Sequence, residues 1–438
     1  MRSATRALGL LLLCFSADVS NSDATEKTLT VQEAVATALA QHPTLRIGTT
    51  AIEAAQARVR QQIAGYLPRG AYVYAFNRRQ QPLSSAVSGV QVGGGSQQRA
   101  IAQIYNYNST NFSMSQLLFD FGRTLDNIRA ASASVEASTA DLETTRQTVI
   151  VNTKQAYYGL LSSQHLLHVA EETLRQNQQH LENAEARFEV GVAPRFDVTQ
   201  AQVQVSTAEL DLVTARNNVV LGQDTLLTAM GVNEPFDFLL VDAPDHRPVT
   251  IDDEGVLRQA YLTRSELHSL RAQQQAADRQ VSSLQKQILP SLSGNAQYNW
   301  TGREYPLQQG WIIGVILTVP LFDDILTVAQ VSEAQANLRN LEAQEENLRQ
   351  QITLEVRRSL LEVRRTEQSI RVSEQTVIHA RENLNLAEGR YSAGVGNIIE
   401  LTDAQVSFSS ARANVIQAVY SHKIALAQLE KALGRSLD

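Results

Sequence analysis

The sequence predicts a mainly α-helical, internally duplicated chain with a small β-strand portion. Three observations lead to this fold class. Segments of the first half reappear at one constant offset in the second half, two long runs contain no proline, and four short segments alternate polar and apolar residues. The constant offset indicates an internal repeat, the proline-free runs indicate long helices, and the alternating segments indicate β-strands.

The first residues have the features of an export signal. Arg2 and Arg6 precede an apolar stretch, 7–17, that is shorter than the about 20 residues of a membrane span. We therefore expect residues 1–24 to be a signal peptide. Because the only cysteine, Cys14, lies inside it, the mature chain would contain none.

The composition excludes one class of partner. The 438-residue chain has a formal net charge of −7 and no stripe of basic residues with interleaved aromatics. Binding to phosphate backbones needs clustered Lys and Arg, so we expect no nucleic-acid partner.

Two halves of the chain repeat each other. Leu118-Phe119-Asp120 reappears as Leu321-Phe322-Asp323, and the segments 187–192 and 390–395 share an Arg-aromatic-x-x-Gly-Val pattern. Farther along, Asp-Val-x-x-Ala-Gln-Val at 197–203 matches Glu-Leu-x-x-Ala-Gln-Val at 400–406. One unit has therefore been duplicated.

The repeat boundaries follow from these matches. The first repeat is expected at 25–231 and the second at 251–438. Between them, 232–250 contains three prolines, as expected of a linker.

Proline-free runs in each repeat predict long helices, at about 123–187 and about 324–390. Each would be roughly 100 Å long at 1.5 Å per residue, too long for a globular interior, so the helices must form a tube or a rod. Further helices are expected at about 196–230 and 397–433, and shorter ones before each hairpin. Two short helices stacked end to end could lie beside each long helix. A small leading helix is expected to begin at the capping-box pattern of Thr30 and Glu33.

Alternating segments predict two β-hairpins, at about 68–119 and 290–322. The strand from Ser291 to Trp300 alternates without a fault, whereas the strand from Tyr105 to Leu117 changes phase near Ser109. About ten alternating residues with aromatics toward the ends is typical of transmembrane strands. A closed barrel needs about eight strands, so a chain with four would have to oligomerise to span a membrane.

These features together resemble the TolC family of outer-membrane efflux proteins. The Arg-Phe/Tyr-x-x-Gly turn followed by Asp/Glu-Val/Leu-x-x-Ala-Gln occurs in both repeats, and the resemblance covers nearly the whole mature chain. It implies a homotrimer with one 12-stranded transmembrane β-barrel, four strands per chain, continued by a long α-helical tunnel. It also implies a position in the outer membrane extending into the periplasm. The function it implies is that of an exit duct in a tripartite efflux or type I secretion system, which conducts substrates passively to the exterior and needs no cofactor. The implied partners are outer-membrane lipid, a periplasmic adaptor and an inner-membrane pump.

By the same resemblance, an acidic ring at the periplasmic entrance corresponds to Glu400 and Asp403. One helical turn separates them, so they share a face, and around a trimer they would attract cations. A solvated first helical turn would also explain two acids at these positions, without any function.

The tips of the tunnel would lie at 191–196 and 394–399, with adaptor-docking and closing residues around them. The resemblance assigns a latch to Tyr391 and Asp197. The family's latch arginine is absent, since Gly396 stands at its position, and Arg195 is a candidate substitute. The remaining tip residues expected to close or dock the tunnel are Arg187, Arg390, Gly191 and Gly394; the two glycines are also explained simply as turn residues with positive φ.

Other chemistry finds little support in the sequence. No nucleophile elbow, zinc motif or phosphate loop occurs, so we expect no enzyme. His165 and His168 are one helical turn apart but lack a third ligand, so we expect no metal site. Asp120 and Asp323 are interpreted as starts of the long helices.

The alternative function is a periplasmic coiled-coil adaptor or scaffold, which would explain the helices but not the two matched hairpins.

Overall fold

The computed structural model describes residues 27–82, 102–233, 238–242, 253–321 and 324–434. The predicted signal peptide, most of the predicted linker, the connection within the first hairpin and Asp323 lie outside these ranges. The helices are α1 (Val31–Gln41), α2 (Pro43–Ile63), α3 (Arg123–Glu189), α4 (Arg195–Met230), α5 (Asp253–Thr263), α6 (Ser265–Gln285), α7 (Asp324–Ser392) and α8 (Ile398–Leu433). The strands are β1 (Lys27–Leu29), β2 (Arg69–Pro82), β3 (Ala102–Phe119), β4 (Phe238–Leu240), β5 (Ser291–Gly302) and β6 (Gln308–Thr318).

The fold class is mainly α, as predicted. The two long helices, α3 and α7, contain 67 and 69 residues and are therefore each about 100 Å long. Asp120 starts α3: its buried carboxylate accepts hydrogen bonds from the Thr124 backbone N–H at 2.7 Å and from the Gly122 N–H at 3.1 Å. These bonds satisfy donors that have no partner inside the helix. The predicted capping box of α1, between Thr30 and Glu33, is also present.

Short helices meet end to end beside the long ones. α3 packs along α2 and α4, and α7 packs along α6 and α8. At the end of α4, Gly231 has φ +72°, and a Cβ there would lie 2.7 Å from the Cα of His42, which caps α2. At the end of α8, the hydroxyl of Thr263 donates to the carbonyl oxygen of Leu433 at 2.5 Å, next to the start of α6. The stacking expected from the helix lengths is therefore confirmed.

The four long strands form one antiparallel sheet in the order β2-β3-β5-β6. The antiparallel pairing of β3 with β5 joins the two hairpins, and within this ladder Ser113 pairs with Gln297. The β3–β5 ladder is regular through Ser109 and shifts only between Leu117 and Phe119. Within the described ranges, the outer strands β2 and β6 each have one unpaired edge. No helix in the described part of the chain is both long and apolar enough to cross a membrane.

The largest core lies near the middle of the helical part. β1 and β4 pair in parallel there, and the buried hydroxyl of Tyr157 lies 2.8 Å from the carbonyl oxygen of Leu29 and 2.6 Å from that of Val241. Burial raises the pKa of Tyr157 to about 12. This tyrosine on α3 therefore ties the beginning of the described chain to the segment between the repeats.

Candidate functional site

Two helix-to-helix turns form the tips opposite the sheet. α3 ends before Gly191, with φ +78°, and α7 ends before Gly394, with φ +75°. The carbonyl oxygen of Arg187 accepts bonds from two backbone N–H groups beyond the glycine, and the carbonyl oxygen of Arg390 does the same in the second turn. Because left-handed backbone favours glycine and the bonds satisfy the last helical carbonyls, both turns are local consequences of the sequence.

Gly396 makes the second turn especially tight. Its backbone N–H donates to the carbonyl oxygen of Arg390 at 2.9 Å. A Cβ at this position would lie 2.9 Å from the carbonyl carbon of Arg390 and 2.9 Å from the backbone nitrogen of Tyr391. A residue with a side chain, including the family's latch arginine, therefore does not fit this turn without a backbone shift.

Contacts across the two tips centre on Tyr391. Its hydroxyl donates to Asp197 Oδ2 at 3.3 Å, so the structure brings together the two residues of the predicted latch. Arg187 donates to the carbonyl oxygen of Tyr391 at 3.0 Å, and its guanidinium lies 4.8 Å from the ring centroid. Burial and the Asp197 carboxylate raise the pKa of Tyr391, so its hydroxyl stays protonated and able to donate at neutral pH.

The start of α8 is held by an apolar cluster. Asn397 caps the helix by accepting a hydrogen bond from the Ile399 N–H at 3.2 Å. On one face, Ile398, Leu401 and Phe408 are buried against the end of α7. Glu400 and Asp403 are exposed, because they alternate with the buried positions along the first turns of the helix.

The two acids differ in their surroundings. Arg390 Nε lies 3.1 Å from Glu400 Oε1, so this carboxylate has a cation beside it. Asp403 makes no ion pair within the part of the chain that the structure describes. A single chain therefore presents one compensated and one uncompensated carboxylate on this surface, rather than the two equivalent charges that the sequence suggested.

Arg195, the candidate substitute for the latch arginine, is exposed at the first position of α4 and makes no ion pair among the described residues. The cross-tip contact is instead made by Arg187. Sequence reasoning placed Arg187 and Arg390 in the tips but did not assign their contacts. The only signal was their equivalent position in the two repeats, which does not reveal that one turns toward Tyr391 and the other toward Glu400.

The histidine pair on α3 has structural contacts. His165 stacks on the ring of Tyr420 with centroids 5.7 Å apart, and His168 Nε2 lies 3.4 Å from Glu172. Within the described ranges, no group of three His, Cys, Asp or Glu side chains could hold a metal ion.

Comparison with known proteins points to one family. The family model described as "Outer membrane efflux protein" matches residues 34–232 and 256–435, one segment in each repeat. The chain is 25% identical over 353 residues to outer membrane protein TolC of Escherichia coli, covering 75% of this chain and 70% of that protein. It is 24% identical over 418 residues to the toluene efflux pump outer membrane protein TtgF of Pseudomonas putida, covering 93% and 84% of the two chains.

A solved structure agrees in fold. The CmeC outer membrane channel of Campylobacter jejuni superimposes with a TM-score of 0.81 at 18% sequence identity, over 92% of this chain and 85% of that one. The likeness extends over the long helices and the sheet together, since these elements make up most of the described residues.

Proposed function

Because the chain belongs to the outer membrane efflux protein family, we propose that three copies form an exit duct that conducts solutes passively through the outer membrane. The sheet would lie in the membrane, and the helices would extend into the periplasm. A periplasmic adaptor would dock on the tips, and an inner-membrane pump would supply the energy. The single observation that carries this proposal is the family match to both repeats.

The sheet supports assembly of several copies. Among the residues that the structure describes, β2 and β6 each leave one edge unpaired. Unpaired backbone groups are costly in lipid, so membrane strands close into a barrel. Pairing β6 of one copy with β2 of the next would satisfy both edges, and three copies would give the 12 strands expected from the family.

The helices support the same arrangement. α4 leaves Leu210, Val213 and Val220 exposed at 66%, 63% and 56%, and α7 leaves Leu354 and Leu361 exposed at 69% and 63%. Several of these positions are seven residues apart, the spacing of a coiled-coil seam. Such stripes are expected to pack against the neighbouring copies around a tunnel.

Cysteine cross-linking tests the closure of the barrel. The only cysteine of the chain lies in the predicted signal peptide, so introduced pairs report on chosen positions alone. Ala71→Cys on β2, combined in turn with cysteines along β6, is expected to give covalent trimers in outer-membrane fractions. The control pair Ser113→Cys/Gln297→Cys joins directly paired strands of one chain and should give only monomers.

Extraction distinguishes the duct from the scaffold alternative. A membrane-spanning duct needs detergent for release, and its mass in detergent should correspond to three chains. Release by osmotic shock, with no cross-link between β2 and β6 at any register, would contradict the proposal and favour a periplasmic scaffold.

A further inference from the structure

Charge on the sheet is confined to its two ends. Among the described sheet residues and the turn 303–307, the end near the helices carries Arg69, and the far end carries Arg78, Arg79, Arg303 and Glu304. The long middle part between these ends has no charged residue on any of the four strands. The far end therefore has three arginines against one glutamate, in a chain whose overall net charge is −7.

Two of these arginines stack on tyrosines in one continuous cluster. The guanidinium of Arg303 lies 3.7 Å from the ring centroid of Tyr105, and that of Arg79 lies 5.0 Å from the ring centroid of Tyr107. The two tyrosines contact each other edge to face, with centroids 6.5 Å apart. We call Arg79, Tyr105, Tyr107 and Arg303 the Arg–Tyr ladder. Stacking on an aromatic ring orients a guanidinium and leaves its positive charge in place.

Strand alternation places the ladder on the polar face of the sheet. Arg79 pairs with Tyr105, and the same face continues along β3 through Asn111 and Ser113 and across to Gln297. The opposite face carries aromatic and aliphatic side chains at the paired positions Tyr72–Phe112 and Tyr298–Trp311. Transmembrane barrels turn their apolar face to lipid and their polar face to the lumen. This placement also explains why the alternation of β3 changes phase near Ser109, since Tyr105 and Tyr107 belong to the polar face.

We propose that the Arg–Tyr ladder forms a cationic ring in the lumen at the outer mouth of the duct, where it concentrates anions. The inference rests on the proposed trimeric duct. In a trimer, six guanidinium groups would surround the axis at the end farthest from the helices. At the other end, the exposed Asp403 carboxylate, which has no ion pair among the described residues, would face cations instead. The ring sets the anion permeability of the exit.

Arg78 provides a matched control. It directly precedes Arg79 and has the same charge, but it pairs with Asn106 on the apolar, lipid-facing side. Neutralising Arg79 should therefore change conduction, whereas neutralising Arg78 should not.

The experiment is a reversal-potential measurement in planar bilayers under a KCl gradient. To remove the influence of the acidic entrance, it uses the purified trimer in a Glu400→Gln/Asp403→Asn background. In this background the Cl⁻/K⁺ permeability ratio is expected to be higher than in the wild type. Adding Arg79→Gln and Arg303→Gln should lower the Cl⁻/K⁺ permeability ratio by about sevenfold, since a change in local potential of about 1 kT acts on both ions in opposite directions. Each single substitution should give part of the effect, so the test does not depend on the double variant assembling.

Four results are informative. The ring is supported if the Cl⁻/K⁺ permeability ratio falls in the ladder variants. The same ratio should be unchanged in Arg78→Gln and retained in Arg79→Lys/Arg303→Lys. An unchanged ratio in conducting ladder variants would overturn it while leaving the duct intact. An effect of Arg78→Gln equal to that of Arg79→Gln would also overturn it, since the arginines would then act through lipid headgroups. Absence of conductance in the parent trimer would instead count against the proposed duct.

Discussion

The guanidinium of Arg187 lies 4.8 Å from the ring centroid of Tyr391 and donates a 3.0 Å hydrogen bond to the carbonyl oxygen of the same residue. Arg187 belongs to the first repeat and Tyr391 to the second, so this contact joins the two tips of one chain. The equivalent arginine of the second repeat, Arg390, pairs with Glu400. Two residues at matching positions of a duplicated unit have therefore taken different roles.

Arg187→Ala is expected to loosen the tips. The substitution removes a cation–π contact and a hydrogen bond, together worth about 1–2 kcal/mol. If opening separates the two tips, this loss raises the open population by roughly fivefold or more. Single-channel recording of the purified trimer measures the change directly.

Arg195→Ala is the control for that substitution, since Arg195 is an exposed tip arginine without an ion pair in the described part of the chain. It should leave the open probability unchanged. Equal effects of the two substitutions would show that charge at the tips, and not the contact with Tyr391, holds them.

Gly396→Ala is expected to destabilise the second tip. The new Cβ would lie 2.9 Å from the backbone of Arg390 and of Tyr391, so the turn must shift, at a cost of about 1–3 kcal/mol. Gly389→Ala is the matched control, because Gly389 is helical and a Cβ there meets nothing within 4 Å. Replacing a helical glycine in this way should stabilise by about 0.5–1 kcal/mol.

Thermal unfolding and limited proteolysis of the tip distinguish the two glycines. We expect faster cleavage in Gly396→Ala and unchanged or slower cleavage in Gly389→Ala. Equal stability of both variants would mean that the turn adapts without strain, and the absence of the latch arginine would then need another explanation.

Arg390→Gln is expected to increase cation selectivity at the entrance. Arg390 lies beside Glu400, and its removal leaves that carboxylate uncompensated. The added negative charge, repeated in each copy, should raise the K⁺/Cl⁻ permeability ratio by about twofold to fivefold. The effect should vanish in Arg390→Gln/Glu400→Gln. A lower ratio in the single variant would contradict the assignment.

Asp126 predicts a dependence of stability on pH. It is buried near the start of α3, and its carboxylate accepts hydrogen bonds from Lys286 at 2.5 Å and Ser282 at 2.6 Å on the other repeat. Burial alone would raise its pKa, but the bonds from Lys286 and Ser282 outweigh burial and lower the pKa below 3.8. The resulting stabilisation is present above about pH 4 and is lost as the pH falls through the lowered pKa.

Unfolding of the wild type and of Asp126→Asn between pH 3 and 7 tests this linkage. The free energy of unfolding of Asp126→Asn at neutral pH should be lower than that of the wild type by about 1–3 kcal/mol, because the substitution leaves the Lys286 charge without its partner. This free energy should also fall less steeply in acid than it does in the wild type. Glu143→Gln is the control, since Glu143 lies on the same helix in an exposed 3.8 Å pair with Arg146 and should cost less than about 1 kcal/mol. Parallel pH curves for wild type and Asp126→Asn would contradict the assignment.

Much of the fold could be predicted from local sequence properties. Long proline-free segments specify α3 and α7, since nothing in them interrupts a helix, and alternation specifies β5 because each residue type fits one face. The turn at Gly394 follows from the need for positive φ. The boundaries of the repeats and the predicted signal peptide stay predictions, because they fall largely outside the described residues.

Side-chain contacts between distant segments could not be predicted in the same way. Apolar residues keep an a/d spacing along α7 at 331, 334, 338, 341, 348 and 352, and Glu345 interrupts it. The reason lies on another helix, where Arg271 and Gln274 bond to Glu345 at 3.2 and 2.9 Å. Likewise, the choice between Arg187 and Arg195 as the partner of the opposite tip depends on how two helix pairs lie side by side. Such relationships depend on tertiary packing, which a single sequence does not encode locally.

The most direct test of the account is the reversal potential of the detergent-extracted protein in a planar bilayer, measured at several salt gradients beside Glu400→Ala/Asp403→Ala. We expect a small, cation-selective conductance in the wild type and weaker cation selectivity in the double variant. A conductance with the same selectivity in both proteins would contradict the acidic entrance. No conductance from protein shown to be folded and trimeric would contradict the duct itself.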